Sequence, residues 1–276
     1  MQVTLAQKKH VLGDKEKNLG IIEETAEDKD TDLLVFPEMF LTGYKLRDKL
    51  WYQAENIPGP SSNHISEIAA DNDMSIICGM PEKIEKEARL RNTALLATSK
   101  GEIHKYRKSY AVNFGPFEEK RYFKGDDDLP VFDTPLGKIG IAICYDLFFP
   151  EITKSYSQQN VDIIVGISGS PSVTREYFEK VIPARAIETT SFLLFSNLLG
   201  REEDMFFWGG AEVFSPKGRS VGKAKYFEED TLDVRLNLDE LVKARKGRPV
   251  ISDTRPEVMY RSADSSVKEV EKEEER

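Results

Sequence analysis

Two short apolar runs, Leu33-Leu34-Val35-Phe36 and Val161-Asp162-Ile163-Ile164-Val165-Gly166-Ile167, most constrain what this chain can become. Runs of this length and make-up suit strands covered on both faces, and each follows a stretch with helical character. Before the first run, Asp14 to Lys29 sets Leu19, Ile22 and Ala26 among charges at the spacing of a one-sided surface helix. Ser62 to Asn72 predicts a second helix, Ser75 to Gly79 a buried strand, and Thr93 to Thr98 another before the Lys100-Gly101 turn. The second half repeats this grammar: Lys138 to Cys144 a strand, Pro150 to Gln158 a helix, Asp162 to Ile167 a strand, Arg175 to Thr189 a helix, Phe192 to Ser196 a strand. The pattern is α/β and suggests duplication of a βαβ-like unit, although the halves share no obvious sequence repeat. No Pro/Gly/Ser-rich linker separates them. One domain over residues 1–260 is expected, followed by a Lys- and Glu-rich tail, 261–276, that is solvated or held by a partner.

Charge and composition exclude several functions. The 276 residues carry 39 Lys+Arg against 48 Asp+Glu, a net charge of −9, which argues against a duplex nucleic acid or an anionic membrane as partner. With 15 Phe and 10 Tyr the chain still has the apolar area that ordering requires. No stretch approaches the roughly 20 apolar residues of a membrane span, and the N-terminal residues lack a signal-peptide core, so a cytoplasmic protein is expected. Cys78 and Cys144 cannot build a disulfide framework, and His10, His64 and His104 have no metal-ligand spacing, so no metal site is expected.

Three segments could hold chemistry. The run Gly140-Ile141-Ala142-Ile143-Cys144-Tyr145-Asp146 ends a strand on a cysteine, with Pro150 at a plausible first helical turn. A strand-to-helix elbow there would expose the sulfur among free backbone N–H groups and lower its pKa from about 8.5. A buried inert cysteine explains the segment equally well, and Cys78, inside Ile76-Ile77-Cys78, reads as core. In Leu33-Leu34-Val35-Phe36-Pro37-Glu38-Met39-Phe40 a strand runs straight into an acid. Glu38 would stand at the strand's carboxyl end, partly desolvated and poised as a base, though taken alone a solvated turn glutamate is the simpler reading. The third segment, His104-Lys105-Tyr106-Arg107-Lys108, is rich in cations that ordinarily face solvent. Basic residues interleaved with aromatics also occur at single-strand nucleic-acid sites, which the acidic total disfavours.

In this order and spacing, Pro37-Glu38-Met39-Phe40-Leu41-Thr42-Gly43-Tyr44, Tyr106-Arg107-Lys108 and Gly140 to Glu151 resemble the nitrilase (carbon–nitrogen hydrolase) superfamily. Glu119-Lys120-Arg121-Tyr122-Phe123, Pro183-Ala184-Arg185-Ala186-Ile187-Glu188 and Arg255-Pro256-Glu257-Val258-Met259-Tyr260 agree with it, and the resemblance covers residues 1 to about 260. It implies a four-layer αββα sandwich, a homodimer or larger homo-oligomer, and a Glu-Lys-Cys triad without cofactor. Glu38 looks like the base, Lys108 the cation beside the reaction centre and Cys144 the nucleophile. Glu119 matches a second glutamate that positions lysine and substrate, whereas Glu118 falls one place off that motif.

The residue types suit hydrolysis of a small-molecule amide. A thiolate aided by a base splits a difficult substitution into thioester formation and hydrolysis, with Lys108 and the Tyr145 backbone N–H as candidate oxyanion donors. Nitrile-cleaving relatives typically carry Cys-Trp-Glu; Cys144-Tyr145-Asp146 looks like the amidase-type branches. Carbamoylases for N-carbamoyl-D-amino acids place two arginines where this chain has Leu147 and Phe148, so weak use of those substrates is expected. Ser168-Gly169-Ser170-Pro171-Ser172 stands where many relatives carry a Trp-Pro pair. Phe114, Phe117, Phe148 and Trp208 are candidates for an aromatic pocket, although core packing explains each about as well. A carbamoylase or ureidopropionase-like enzyme, a nitrilase, a glutaminase subunit and a non-catalytic scaffold are the alternatives.

Overall fold

A computed structural model describes residues 1–274, with side chains through 268. The first half contains β1 (Gln2–Gln7), α1 (Lys15–Glu27), β2 (Leu33–Val35), α2 (Leu50–Gln53), α3 (Pro60–Asp71), β3 (Ser75–Glu82), β4 (Arg91–Ala97) and β5 (Ile103–Arg107). After a short α4 (Glu119–Tyr122) come β6 (Val131–Thr134), β7 (Gly137–Ile143), α5 (Pro150–Gln158), β8 (Ile163–Ser168), α6 (Arg175–Thr189) and β9 (Phe192–Asn197). Then follow the hairpin β10 (Leu199–Glu202) and β11 (Met205–Trp208), β12 (Glu212–Phe214), β13 (Ser220–Lys223), β14 (Asp230–Arg235), α7 (Asp239–Gly247) and α8 (Pro256–Glu274). The helices and strands expected from the apolar spacing are all present, with ends shifted by a few residues at most.

The strands form two six-stranded sheets, ordered β14-β1-β2-β3-β4-β5 and β13-β12-β9-β8-β7-β6. Each has three parallel strands at its heart, β1-β2-β3 and β7-β8-β9, with antiparallel strands outside them. Alternation along each strand decides which residues meet. Val3, Leu5, Leu33, Val35, Ile77, Ala94 and Leu96 share one core with Ile139, Ile141, Ile143, Ile163 and Val165 of the second sheet, so the sheets lie face to face. The intervening Ala6, Leu34, Ile76, Cys78 and Leu95 point the other way, onto Ile22 and Ala26 of α1 and Ile65, Ile68 and Ala69 of α3. On the far side of the second sheet, Ile152 and Tyr156 of α5 and Phe178 and Ile182 of α6 close the fourth layer. Full burial of each such side chain stabilises the fold by about 1.5–3 kcal/mol. The αββα sandwich expected above is the observed architecture.

The charged C-terminal segment is helical: α8 spans Pro256–Glu274, and the side chains of residues 261–268 are exposed or half-buried. Glu275 and Arg276 lie outside the described residues. No helix among the described residues is long and apolar enough to cross a membrane.

Candidate active site

Glu38 enters on the turn that follows β2. The Phe36 N–H donates to the Ile77 carbonyl (2.7 Å), Gly79 N–H to Pro37 O (3.1 Å) and Leu41 N–H to Gly79 O (3.2 Å), which straps the turn onto β3. A Cβ on Gly79 would lie 2.3 Å from Met39 N and 2.6 Å from Glu38 Cα, so only glycine permits this approach. The desolvation expected for Glu38 is complete: it is 0% exposed. Its Oε1 accepts Asn92 Nδ2 at 2.7 Å and Lys108 Nζ at 2.8 Å, and its Oε2 accepts the Gly169 N–H at 2.5 Å. A solvated turn glutamate is thereby ruled out.

The basic run of β5 is sorted by strand alternation. Lys105 and Arg107 pair with Glu82, Arg107 through two bonds of 2.7 and 2.9 Å, while Tyr106 and Lys108 are buried on the opposite side. Lys108 Nζ lies 2.8 Å from both Glu38 Oε1 and Glu119 Oε1. Burial disfavours its ammonium, but the Glu119 and Glu38 carboxylates outweigh that and hold the group protonated, well above the ordinary lysine range. Glu119 opens α4 and also accepts the Tyr44 hydroxyl and, through Oε2, the Val112 N–H at 2.9 Å. Burial pushes its pKa up; Lys108 opposes that shift and Glu38 adds to it. Glu118, its neighbour, is exposed.

Cys144 occupies the expected elbow. β7 ends at Ile143, Cys144 adopts φ +51°, a tight turn runs to Phe148, and Pro150 starts α5. Two expectations fail there. The sulfur-bearing residue is buried, 4% exposed, and its pKa is raised: burial contributes most, the Glu38 carboxylate adds to it, and Lys108 only partly opposes it. Burial, joined by the Glu38 and Glu119 carboxylates, outweighs the Lys108 ammonium and the Ser168 hydroxyl that favour the thiolate. The site therefore rests with a neutral thiol within the electrostatic reach of Glu38, Lys108 and Glu119. Cys78 is fully buried in β3, with its thiol pushed up by burial alone among the opposing influences, consistent with a core residue.

Phe114, Phe117, Tyr145 and Phe148 form one aromatic cluster. Phe114, half exposed, sits edge-on to Phe117 (centroids 6.1 Å) and Tyr145 (5.3 Å), and Tyr145 reaches Phe148 at 5.8 Å. Trp208 does not join them. It is 1% exposed, stacks on Phe195 at 5.6 Å and donates from Nε1 to Ser170 Oγ (3.2 Å), so its bulk is spent in the core behind the site.

Asn92, Gly169 and Tyr44 were not singled out from sequence, yet each bonds a site carboxylate. Asn92 carried a usable signal, a polar residue in step with the inward-facing Ala94 and Leu96. Gly169 carried none, since it contributes only a backbone N–H. Among the described residues no group of three His, Cys, Asp or Glu is arranged to hold a metal ion.

The family model for carbon-nitrogen hydrolases matches residues 2–246. The chain is 30% identical to an (R)-stereoselective amidase of a Pseudomonas species, over 82% of this chain and 80% of that protein. It is 32% identical to a glutamine-dependent NAD(+) synthetase of Thermotoga maritima, over 87% of this chain but only 42% of that longer protein. Among solved structures, an amidase from Nesterenkonia sp. superposes with a TM-score of 0.80 at 26% identity, covering 95% of each chain. Sequence, fold and family match agree: the chain belongs to the carbon-nitrogen hydrolase family of the nitrilase superfamily, and it is a hydrolase of C–N bonds.

Proposed function

We propose that the protein hydrolyses the C–N bond of a small linear amide through a thioester on Cys144. The observation that carries this reading is the buried Lys108 ammonium held 2.8 Å from both Glu38 and Glu119, beside a cysteine at a strand-end elbow. Because the thiol is neutral at rest, its proton must leave as sulfur attacks. Glu38 is the acceptor, the Sγ–C bond forms, and the carbonyl oxygen takes negative charge toward Lys108 and the Tyr145 N–H. Glu38 then passes the proton to the departing nitrogen, the C–N bond breaks, and ammonia or an amine leaves the thioester. Water attacks next, giving its proton to Glu38; collapse releases the acid and returns the proton to sulfur. Glu119 keeps Lys108 in place through this cycle.

The Phe114, Phe117, Tyr145 and Phe148 rings would receive an apolar acyl group, and exclusion of water by them strengthens the polar contacts beneath. Leu147 and Phe148, not arginines, directly follow Asp146, and Arg185 is committed to the Leu147 and Phe148 carbonyls, at 2.8 and 3.3 Å, and to Glu188. Simple amides are therefore favoured over N-carbamoyl amino acids and nitriles. We also place the protein in the cytoplasm and as a homodimer or larger assembly, with 1–260 as the hydrolase domain and 261–276 as an appended charged segment. Ammonia release from a panel of aliphatic and aromatic amides, glutamine, carbamoyl compounds and nitriles tests the substrate class. Turnover of a simple amide that is lost in Cys144→Ala and Glu38→Gln is expected; an N-carbamoyl-D-amino acid cleaved as fast as the best amide would overturn the assignment.

A further inference from the structure

Asp146 is fully buried, yet the hydrolytic cycle gives it no task. Its two oxygens accept three hydrogen bonds: Oδ2 takes the Tyr106 hydroxyl at 2.8 Å and the Ile143 N–H at 3.0 Å, and Oδ1 takes the Tyr110 N–H at 2.9 Å. Those donors have telling positions. Tyr106, inside β5 of the first sheet, and Tyr110, on the chain leaving it, stand two residues on either side of Lys108. Ile143 is the last residue of β7 in the second sheet and directly precedes Cys144. One carboxylate thus ties the lysine-bearing segment to the cysteine-bearing elbow across the interface between the sheets. From α6, Arg185 fixes the other end of that elbow through the Leu147 and Phe148 carbonyls.

We propose that Asp146 is a positioning residue that sets the register of Lys108 against Cys144 by gripping Tyr106, Tyr110 and Ile143 together. The proposal rests on the reading of Lys108 and Cys144 as reacting groups. A buried acid kept only for stability has no reason to bond both segments that carry them. Cys144 at φ +51° also needs an outside hold, because the left-handed region is unfavourable for a residue with a Cβ. Asparagine keeps the shape of Asp146 but offers one acceptor oxygen, so its NH2 must face at least one of the three donors.

The test compares wild type, Asp146→Asn, Tyr106→Phe and Tyr156→Phe by kcat and KM on the best amide, urea midpoint, and the rate at which iodoacetamide modifies Cys144. Tyr156→Phe is the control for stability, since it deletes a buried bond to the Ile141 carbonyl (2.5 Å) and none of the three hydrogen bonds to Asp146. Misplacement of reacting groups by about 1 Å costs on the order of 10²-fold in rate. Asp146→Asn should lose about that factor in kcat and slow the alkylation, with KM within about threefold, and Tyr106→Phe should lose about tenfold; these figures follow from the same geometric sensitivity. Tyr156→Phe should lower the urea midpoint and leave kcat near wild type. A folded Asp146→Asn protein with wild-type kcat and alkylation rate, or equal losses in Tyr156→Phe, would overturn the proposal. If Asp146→Asn does not fold, Tyr106→Phe decides alone. Absence of amide turnover in the wild type would instead count against the proposed function, and the alkylation rates would still read the register.

Discussion

Replacing Lys108 by methionine removes a charge while keeping a side chain of similar length, and the surroundings set the consequence. Each 2.8 Å contact to Glu38 and Glu119 is worth about 6 kcal/mol of attraction at an effective dielectric of 20. Desolvation of three ions and repulsion between the carboxylates offset most of that, so the intact cluster contributes little net stability. Removing the cation is not symmetric with this balance: it leaves two buried carboxylates facing each other, which typically costs about 3–5 kcal/mol. In Lys108→Met, Glu119, whose folded-state pKa burial already raises above the unfolded value of about 4.3, loses the cation that opposes that shift, so its protonated form favours the fold. That contribution is fully present below about pH 4.3 and is lost as pH rises through the raised value. Urea unfolding should therefore show a gap to wild type of about 3–5 kcal/mol at pH 8 that narrows at pH 5. Loss of the oxyanion donor should lower kcat by about 10²–10³-fold in the ammonia assay. An unfolding midpoint unchanged at pH 8, or a gap that widens on acidification, would refute the paired-cation reasoning.

Gly79→Ala puts a methyl group 2.3 Å from Met39 N, so the base-bearing turn must move; kcat should fall about 10²-fold and stability by about 1–3 kcal/mol, read by turnover and urea unfolding. Iodoacetamide at pH 7 should label Cys144 and spare Cys78, as peptide mass spectrometry would show. In Glu38→Gln two effects compete: loss of the negative charge eases ionisation of Cys144, and loss of the base removes the proton acceptor. Slower labelling of the variant supports the base, whereas faster labelling would reduce Glu38 to a mere charge.

Much of the fold was legible because burial leaves a periodic trace. Leu33 to Val35 and Ile163 to Ile167 declared themselves strands by apolar runs, and α5 and α6 by their spacing and the proline at 150. β1 leaves no such trace, because Gln2 to Gln7 is short and mixed, and it becomes a strand by pairing with β2 and β14. Glu38, Lys108, Glu119 and Cys144 could be named because their segments match a family pattern. The direction of the Cys144 shift could not, since it depends on how near two carboxylates and one ammonium come in space.

Hydropathy period and residue chemistry are local properties, so the alternation of strands and helices and the reactive side chains on offer can be read along the chain, whereas the αββα class is legible only through the resemblance to a family. Only the tertiary structure decided that Lys108 turns inward while Lys105 and Arg107 bind Glu82, that Trp208 belongs to the core, and that Asn92, Gly169 and Asp146 brace the site. Hydrogen bonds and charge couplings act over a few ångströms between segments far apart in the chain, and no local pattern encodes which segments will meet.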